Sequence, residues 1–268
     1  MRNIFISLLS VVLLATAYNA YAQPKPKKRG TLRIMTYNVG TIEKYISDTF
    51  TKADNVALLG EIIRNSQSDA VCLQELDSCG RNKYFQIEAL TKAIDEDWHF
   101  QFGHAVDYYG GAFGSGMAAA RKPQRCLEIF IPTPGDSEDR IVVIMEYKDY
   151  VVASTHLNYA QPHQVDIINK EMKRLYGNSR KPVFLGGDMN ARPGTEMMVK
   201  FEQEWTIIST TSSTTVQDSN SCIDYILQLN NLSPKAKVID SQVVLDKVWG
   251  DVKLASDHYP VYVDIKLR

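Results

Sequence analysis

Six short polar clusters punctuate this sequence, each where an apolar run ends. They are Thr36-Tyr37-Asn38-Val39-Gly40, Leu73-Gln74-Glu75-Leu76, Ser154-Thr155-His156-Leu157, Gly186-Gly187-Asp188-Met189-Asn190, Cys222-Ile223-Asp224-Tyr225 and Ser256-Asp257-His258-Tyr259-Pro260. Strand ends are where a rigid scaffold presents functional groups. Singly, each has a bland reading: Asp188 as a turn residue, His156 as a satisfied core histidine, Glu75 as a surface charge, Asp224 as a turn cap. Six together, in a chain with only five histidines, point to one site. Glu75, Asn38 and Asp257 offer hard oxygen ligands, which suit Mg²⁺ or Mn²⁺ rather than zinc. Two aspartates and two histidines remain, and an Asp–His pair fixes the imidazole tautomer and raises its basicity. Water attack on a phosphoester needs charge neutralisation, an oriented nucleophile and a protonated leaving group. A divalent cation with Asp/His pairs supplies all three. The sequence has no Gly-x-Ser-x-Gly elbow, which disfavours covalent acyl chemistry.

Alternating strands and helices must position these clusters. Leu32–Val39 alternates and is β-rich, and Asn55–Asn65 sets Val56, Leu59 and Ile63 on one helical face. A short strand is expected at Ala70–Leu73 and an amphipathic helix at Tyr84–Ile94. Strands follow near His99–Val106, Gly116–Ala120, Cys126–Ile131, Ile141–Glu146 and Tyr150–Thr155. Pro162–Tyr176 reads as a helix with Pro in its first turn. Further strands are expected at Val183–Leu185, Ile223–Gln228, Val238–Val244 and Val261–Ile265. Ser209–Thr215 reads as a loop, either at a substrate mouth or as an exposed connection. Such a mixture suggests stacked sheets covered by helices.

Residues 1–22 read as a cleavable secretory signal: Arg2, an apolar stretch from Ile4 to Ala17, then Ala20-Tyr21-Ala22. The stretch is shorter than the roughly 18–20 residues that span a bilayer. A periplasmic or secreted protein without stable membrane insertion is therefore expected. Cleavage removes one basic residue and no acid, taking the formal charge from −1 to −2. That balance does not provide the basic surface of a dedicated nucleic-acid binder. Residues 23–30, QPKPKKRG, read as a mobile basic tether, and 31–268 as one domain. Of the four cysteines, Cys72 lies in an apolar run and reads as a buried small hydrophobe; pairing among Cys72, Cys79, Cys126 and Cys222 stays open.

The ordered set TYNVG, LQEL, STHL, GGDMN, IDYI and SDHYPV resembles the endonuclease/exonuclease/phosphatase superfamily, over nearly the whole of 31–268. Tyr109–Pro123 resembles its Gly-rich stretch. The resemblance implies a four-layered α/β sandwich, two face-to-face mixed β-sheets flanked by helices, with the site at one edge. It implies Glu75 as main metal ligand, with Asn38 and Asp257 beside it. It implies that Asp188 and Asn190 orient the attacking water and the phosphate. His258, paired with Asp224, would be base or transition-state stabiliser, and His156 would bind phosphate and protonate the leaving oxygen. Two departures touch substrate contacts: Ala119-Ala120 stands where Leu-Ser is usual, and the segment after STHL lacks the arginine that relatives often carry. The expectation is a monomeric, Mg²⁺-dependent (or Mn²⁺-dependent) hydrolase of phosphoesters. A small phosphorylated substrate is favoured over nucleic acid (a secreted endonuclease) or a phospholipid headgroup (a sphingomyelinase-like phospholipase C). A non-catalytic binding protein on the same fold is the alternative of a different class.

Overall fold

Two parallel strand pairs, each closed by a helical crossover, organise the molecule. A computed structural model describes residues 25–78, 85–135, 137–245 and 247–267. In the first unit β1 (Leu32–Asn38) runs through α1 (Lys52–Ser66) to β2 (Ala70–Ser78). Thr51 and Asp54 start α1 with a reciprocal capping box, and Gln67 ends it in a left-handed conformation. In the second unit β7 (Val151–His156) runs through α3 (Pro162–Tyr176) to β8 (Val183–Asp188). Pro162 opens α3, and Lys173 and Arg174 occupy its last turn.

Antiparallel strands extend each pair. α2 (Gln86–Ile94), β3 (His99–Tyr108), β4 (Gly111–Ala119), β5 (Arg125–Ile131) and β6 (Arg140–Glu146) lie between the two units. After β8 come α4 (Glu196–Glu204), β9 (Trp205–Ile207), β10 (Asp224–Leu229), β11 (Lys237–Val243), α5 (Val252–Ala255) and β12 (Val261–Lys266). One sheet has the order β11-β12-β1-β2-β4-β3 and the other β5-β6-β7-β8-β10-β9. Both are mixed, as expected.

Three apolar layers result. Between the sheets lie Ile34, Cys72, Met117, Val152, Phe184, Ile226 and Val263. Leu59, Ile63, Ile87 and Leu90 pack α1 and α2 on the first sheet. Val165, Ile168, Met172, Met198 and Phe201 pack α3 and α4 on the second. Full burial of each such side chain is worth roughly 1.5–3 kcal/mol. The sheets approach closely at Gly186, where an added Cβ would stand 2.7 Å from the Cys72 sulfur. Both glycines before Asp188 are thus strand residues, not a turn, and Gly186 admits this contact. Cys72 is fully buried, and burial pushes its thiol up to about 12. Among the described residues Cys72, Cys126 and Cys222 are free thiols, while Cys79 lies outside them.

The strap before β1 differs from the expected mobile tether. From Lys25 onward it is docked: the Lys25 carbonyl accepts from Arg33 at 3.0 Å, its ammonium meets Asp240 at 3.2 Å, and Lys27 meets Asp69. The cause is Arg33, a fully buried guanidinium paired with Asp264 at 2.6 Å, which needs more acceptors than Asp264 supplies. The signal segment, 1–22, lies outside the described residues. No described helix is long and apolar enough to cross a membrane.

Candidate active site

Parallel pairing brings the C-terminal ends of β1, β2, β7 and β8 to one edge of the sandwich, the edge at which α/β sheets bind ligands. Asn38 is in register with Gln74 on β1 and β2. On the second sheet, Asp188 is in register with His156 on one side and with Asp224, at the start of β10, on the other. Glu75 sits on a bulge: the β2–β4 register shifts between Leu73 and Leu76, and Glu75 has φ of +57°. Bulges re-aim side chains beside functional sites. Asn190 is likewise left-handed, with φ of +46°.

These side chains form one network. The Asn38 amide donates to Glu75 at 2.9 Å and to Asp188 at 3.0 Å, while its carbonyl accepts from the Gly40 N–H at 3.0 Å. The Asn190 backbone N–H donates to Asp188 at 2.8 Å. Its side-chain amide donates to the Leu157 carbonyl at 2.8 Å and to His156 Nε2 at 3.0 Å. The bond to Leu157 fixes the amide's orientation, so His156 Nε2 is an acceptor and the ring proton is assigned to Nδ1. His258 Nδ1 bonds Asp224 at 2.9 Å, and its Nε2 lies 3.7 Å from Asp188. Ser256 ties the last cluster to the first, donating to the Asn38 carbonyl at 2.7 Å and accepting the His258 N–H at 3.2 Å.

Burial divides the protons. Desolvation opposes a charged His258, but Asp224, then Asp188 and Asp257, overcome it and hold the imidazolium up to about 10. Burial, with Arg140 and His258 nearby, drives His156 well below its usual value. His156 is therefore neutral at neutral pH. Its Nε2 already accepts from Asn190 and its Nδ1–H is buried, so it is poorly suited to protonate a leaving oxygen. Burial, then the Asp224 charge, raises Asp188 to about 7, a value suited to a general base.

Asp257 stands apart from the buried cluster, its carboxylate 2.7 Å from the Lys44 ammonium. The Asp257 hydrogen bond holds the Lys44 proton, and the Asp257 and Glu75 charges add to it. A cation thus already sits against Asp257 and feels the Glu75 charge. The hard oxygens of the two carboxylates fit a divalent metal. Asp188, Asp224 and His258 also bring ligand-type atoms within 4.8 Å of one another. Their histidine holds its proton against Asp224, so that trio suits proton chemistry better than ligation.

Three features escaped the sequence. Lys44 lies in a loop and Arg140 begins a strand, and neither belongs to a cluster. The Ser/Thr segment is a brace rather than an exposed connection. Thr214, fully buried, accepts the Ile223 and Asp224 N–H groups through its hydroxyl at 3.1 and 3.3 Å. Val216 N–H bonds Asp257 O at 2.8 Å, and Tyr259 N–H bonds Thr214 O at 2.7 Å, so the segment clamps the Asp224–His258 pair. Thr214→Val strands two buried donors, and a loss of about 1–3 kcal/mol is expected in urea melts.

A cavity of about 150 Å³ adjoins Asn190, lined by Tyr159, Ala160, Pro162, Ala191 and Met197. A larger cleft of about 520 Å³, with Lys148, Arg180 and Lys181, opens at the opposite strand ends and contains none of the six clusters.

Residues 35–258 match the model of the Endonuclease/Exonuclease/phosphatase family. A family protein of Bacteroides vulgatus has the same fold, with a TM-score of 0.68 and 16% identity over 89% of this chain and 99% of that one. A mannosyl-6-phosphatase of Bacteroides thetaiotaomicron aligns with a TM-score of 0.66 and 15% identity, over 87% and 99% of the two chains. The human Nocturnin catalytic domain aligns with a TM-score of 0.64 and 16% identity, over 91% and 97%. No curated protein sequence matches the chain. With two mixed sheets in four layers, polar clusters at one edge and a family match that runs from the first cluster into the last, this chain belongs to the endonuclease/exonuclease/phosphatase family of phosphoesterases.

Proposed function

We propose that this chain is an exported, Mg²⁺-dependent phosphoesterase that hydrolyses a small phosphomonoester or phosphodiester by attack of water. The observation that carries the reading is the convergence on Asp188. A base candidate, a charged His258–Asp224 pair, a neutral His156 and the Glu75 carboxylate, tied in by the Asn38 amide, meet within one hydrogen-bonded network. Export rests on the signal pattern of residues 1–22. A small substrate is supported by the near-neutral charge and the modest cavity beside Asn190.

Glu75 would hold the cation, with Asn38 and Asp257 beside it, and the family is generally dependent on divalent metals. Bound there, Mg²⁺ or Mn²⁺ supplies charge neutralisation at the phosphoryl oxygens. The chain's own residues do the rest. Asp188 accepts a proton from water as the water oxygen bonds to phosphorus and the bond to the leaving oxygen breaks, and the leaving oxygen takes its proton from solvent. The Asn190 amide, donating to the neutral His156, holds that ring against Asp188. The His258 imidazolium, fixed by Asp224, offsets charge that builds up in the transition state.

A screen with Mg²⁺ across sugar phosphates, inositol phosphates, phospholipids and nucleic acid tests the reading. Turnover of small phosphoesters, abolished by EDTA and restored by Mg²⁺ or Mn²⁺, is expected. Turnover confined to nucleic acid or to lipid vesicles would refute the small-substrate part.

A further inference from the structure

Arg140 is buried with 7% of its surface exposed, and nothing in the scheme above uses it. It opens β6, whose antiparallel register with β7 pairs Val142 with Thr155. Two residues further along each strand, Arg140 comes opposite Leu157, next to His156. Its guanidinium is held on one side only. Nε donates to the Asn158 side-chain oxygen at 2.7 Å, Nη2 donates to the same oxygen, and Nη2 also meets Glu138 at 3.0 Å. Nη1 takes no part in these bonds. Asn158 is fixed in turn, its amide donating to the Glu138 carbonyl at 2.7 Å and its N–H to Gln164 at 2.9 Å. The guanidinium lies close enough to the site for its charge to act on His156, Glu75 and Asp188.

A buried guanidinium is costly unless an anion answers it. Its paired carboxylate, Glu138, is 51% exposed and screened by water. The other anions that act on it are Glu75 and Asp188 of the site. The site carries four carboxylates, Glu75, Asp188, Asp224 and Asp257, against the His258 imidazolium and Lys44, so a phosphate dianion gains from a further fixed cation. The segment after His156, Asn158-Tyr159-Ala160-Gln161, carries no cation. Arg140 reaches the same strand end from the neighbouring strand, pre-oriented by Asn158.

We propose that Arg140 binds the terminal oxygens of the substrate phosphate and makes this site selective for phosphomonoesters over phosphodiesters. The proposal rests on the phosphoesterase reading above. The chemistry follows from charge. A monoester presents a dianion with three terminal oxygens, and a diester presents a monoanion with two. The planar guanidinium fork gains more from the former.

The test uses the full mature chain with Mg²⁺ and three variants: Arg140→Gln, Arg140→Lys and Asn158→Ala. Two readouts are taken, kcat/KM on p-nitrophenyl phosphate against bis-p-nitrophenyl phosphate, and calorimetric binding of inorganic phosphate. Arg140→Gln is expected to lose roughly 100-fold on the monoester and less than about 10-fold on the diester, and to bind phosphate about 10-fold or more weakly. Arg140→Lys, which keeps the charge without the fork, should fall between. Asn158→Ala, which keeps the arginine but frees it, should weaken phosphate several-fold; it and Arg140→Lys decide the matter if Arg140→Gln does not fold. Equal losses on both esters, or unchanged phosphate affinity in folded variants, would overturn the proposal, as would a wild type that binds no phosphate. A wild type that hydrolyses neither ester yet binds phosphate through Arg140 would refute the parent reading alone.

Discussion

His258→Ala is expected to lower kcat on any phosphoester substrate by about 10³–10⁴-fold, the span lost when a positioned acid–base or electrostatic group is removed. The expectation follows from what surrounds the ring. His258 is 8% exposed and 2.9 Å from Asp224, with Asp188 at 3.7 Å from its other nitrogen. Burial alone would neutralise it, but the three nearby aspartates keep it charged up to about 10. Without the imidazolium, Asp188 and Asp224 face each other in register with no positive charge between them, and Asp188 becomes harder to ionise.

The pH dependence has a definite sign. Because the folded pKa of His258 lies above its unfolded value near 6.5, its contribution to stability is complete below pH 6.5 and is lost as pH rises towards 10. The stability gap between wild type and His258→Ala should therefore narrow from pH 6.5 to 10, measured by urea melts across that range. Asp224→Asn removes the main partner, so the alkaline limb of kcat should move towards neutral pH.

Glu75→Gln is the second large effect. Its carboxylate is half-buried on the β2 bulge and accepts from Asn38 at 2.9 Å. Glutamine can keep that bond through its own carbonyl oxygen, so the fold should survive while the charge is lost. Activity should fall about 10²–10³-fold, as when one electrostatic stabiliser is removed. Mn²⁺ affinity by calorimetry should weaken in parallel. Unchanged Mn²⁺ affinity would move the cation away from Glu75 and towards the Asp188, Asp224 and His258 trio.

Both residues belong to the first sheet, Glu75 on β2 and His258 just before β12, and the sequence signals both in the same way. A polar residue that ends an apolar strand is conspicuous, because core strands otherwise exclude such groups. The parallel pairs β1–β2 and β7–β8 then make four of those ends coincide, and antiparallel β10 and β12 bring their own starts, with Asp224 and His258, to the same edge. The limits of α3 were equally legible, since Pro162 presets its first turn and Gly177 follows its last. The apolar run of β2 ends at Leu73, where Gln74 and Glu75 break it. The bulge carries the strand on to Ser78. α4 was not anticipated: it is nine residues long, and its buried Met197, Met198 and Phe201 make only a short apolar stripe.

Arg140, Lys44 and Thr214 were hidden for a different reason. Each acts through a tertiary neighbour far away in sequence, and arginine, lysine and threonine are ordinary at strand starts and in loops. The strap told the opposite story. Its prolines and lysines have the composition of a tether, yet a buried Arg33 and two acidic side chains pin it.

The most direct test is nitrophenolate release from p-nitrophenyl phosphate and its diester by the purified chain, followed through EDTA addition and Mg²⁺ restoration, with His258→Ala in parallel. The account predicts turnover that stops with EDTA, resumes with Mg²⁺ and falls at least about 10³-fold in His258→Ala. Turnover that persists in EDTA, or that His258→Ala leaves intact, would contradict it.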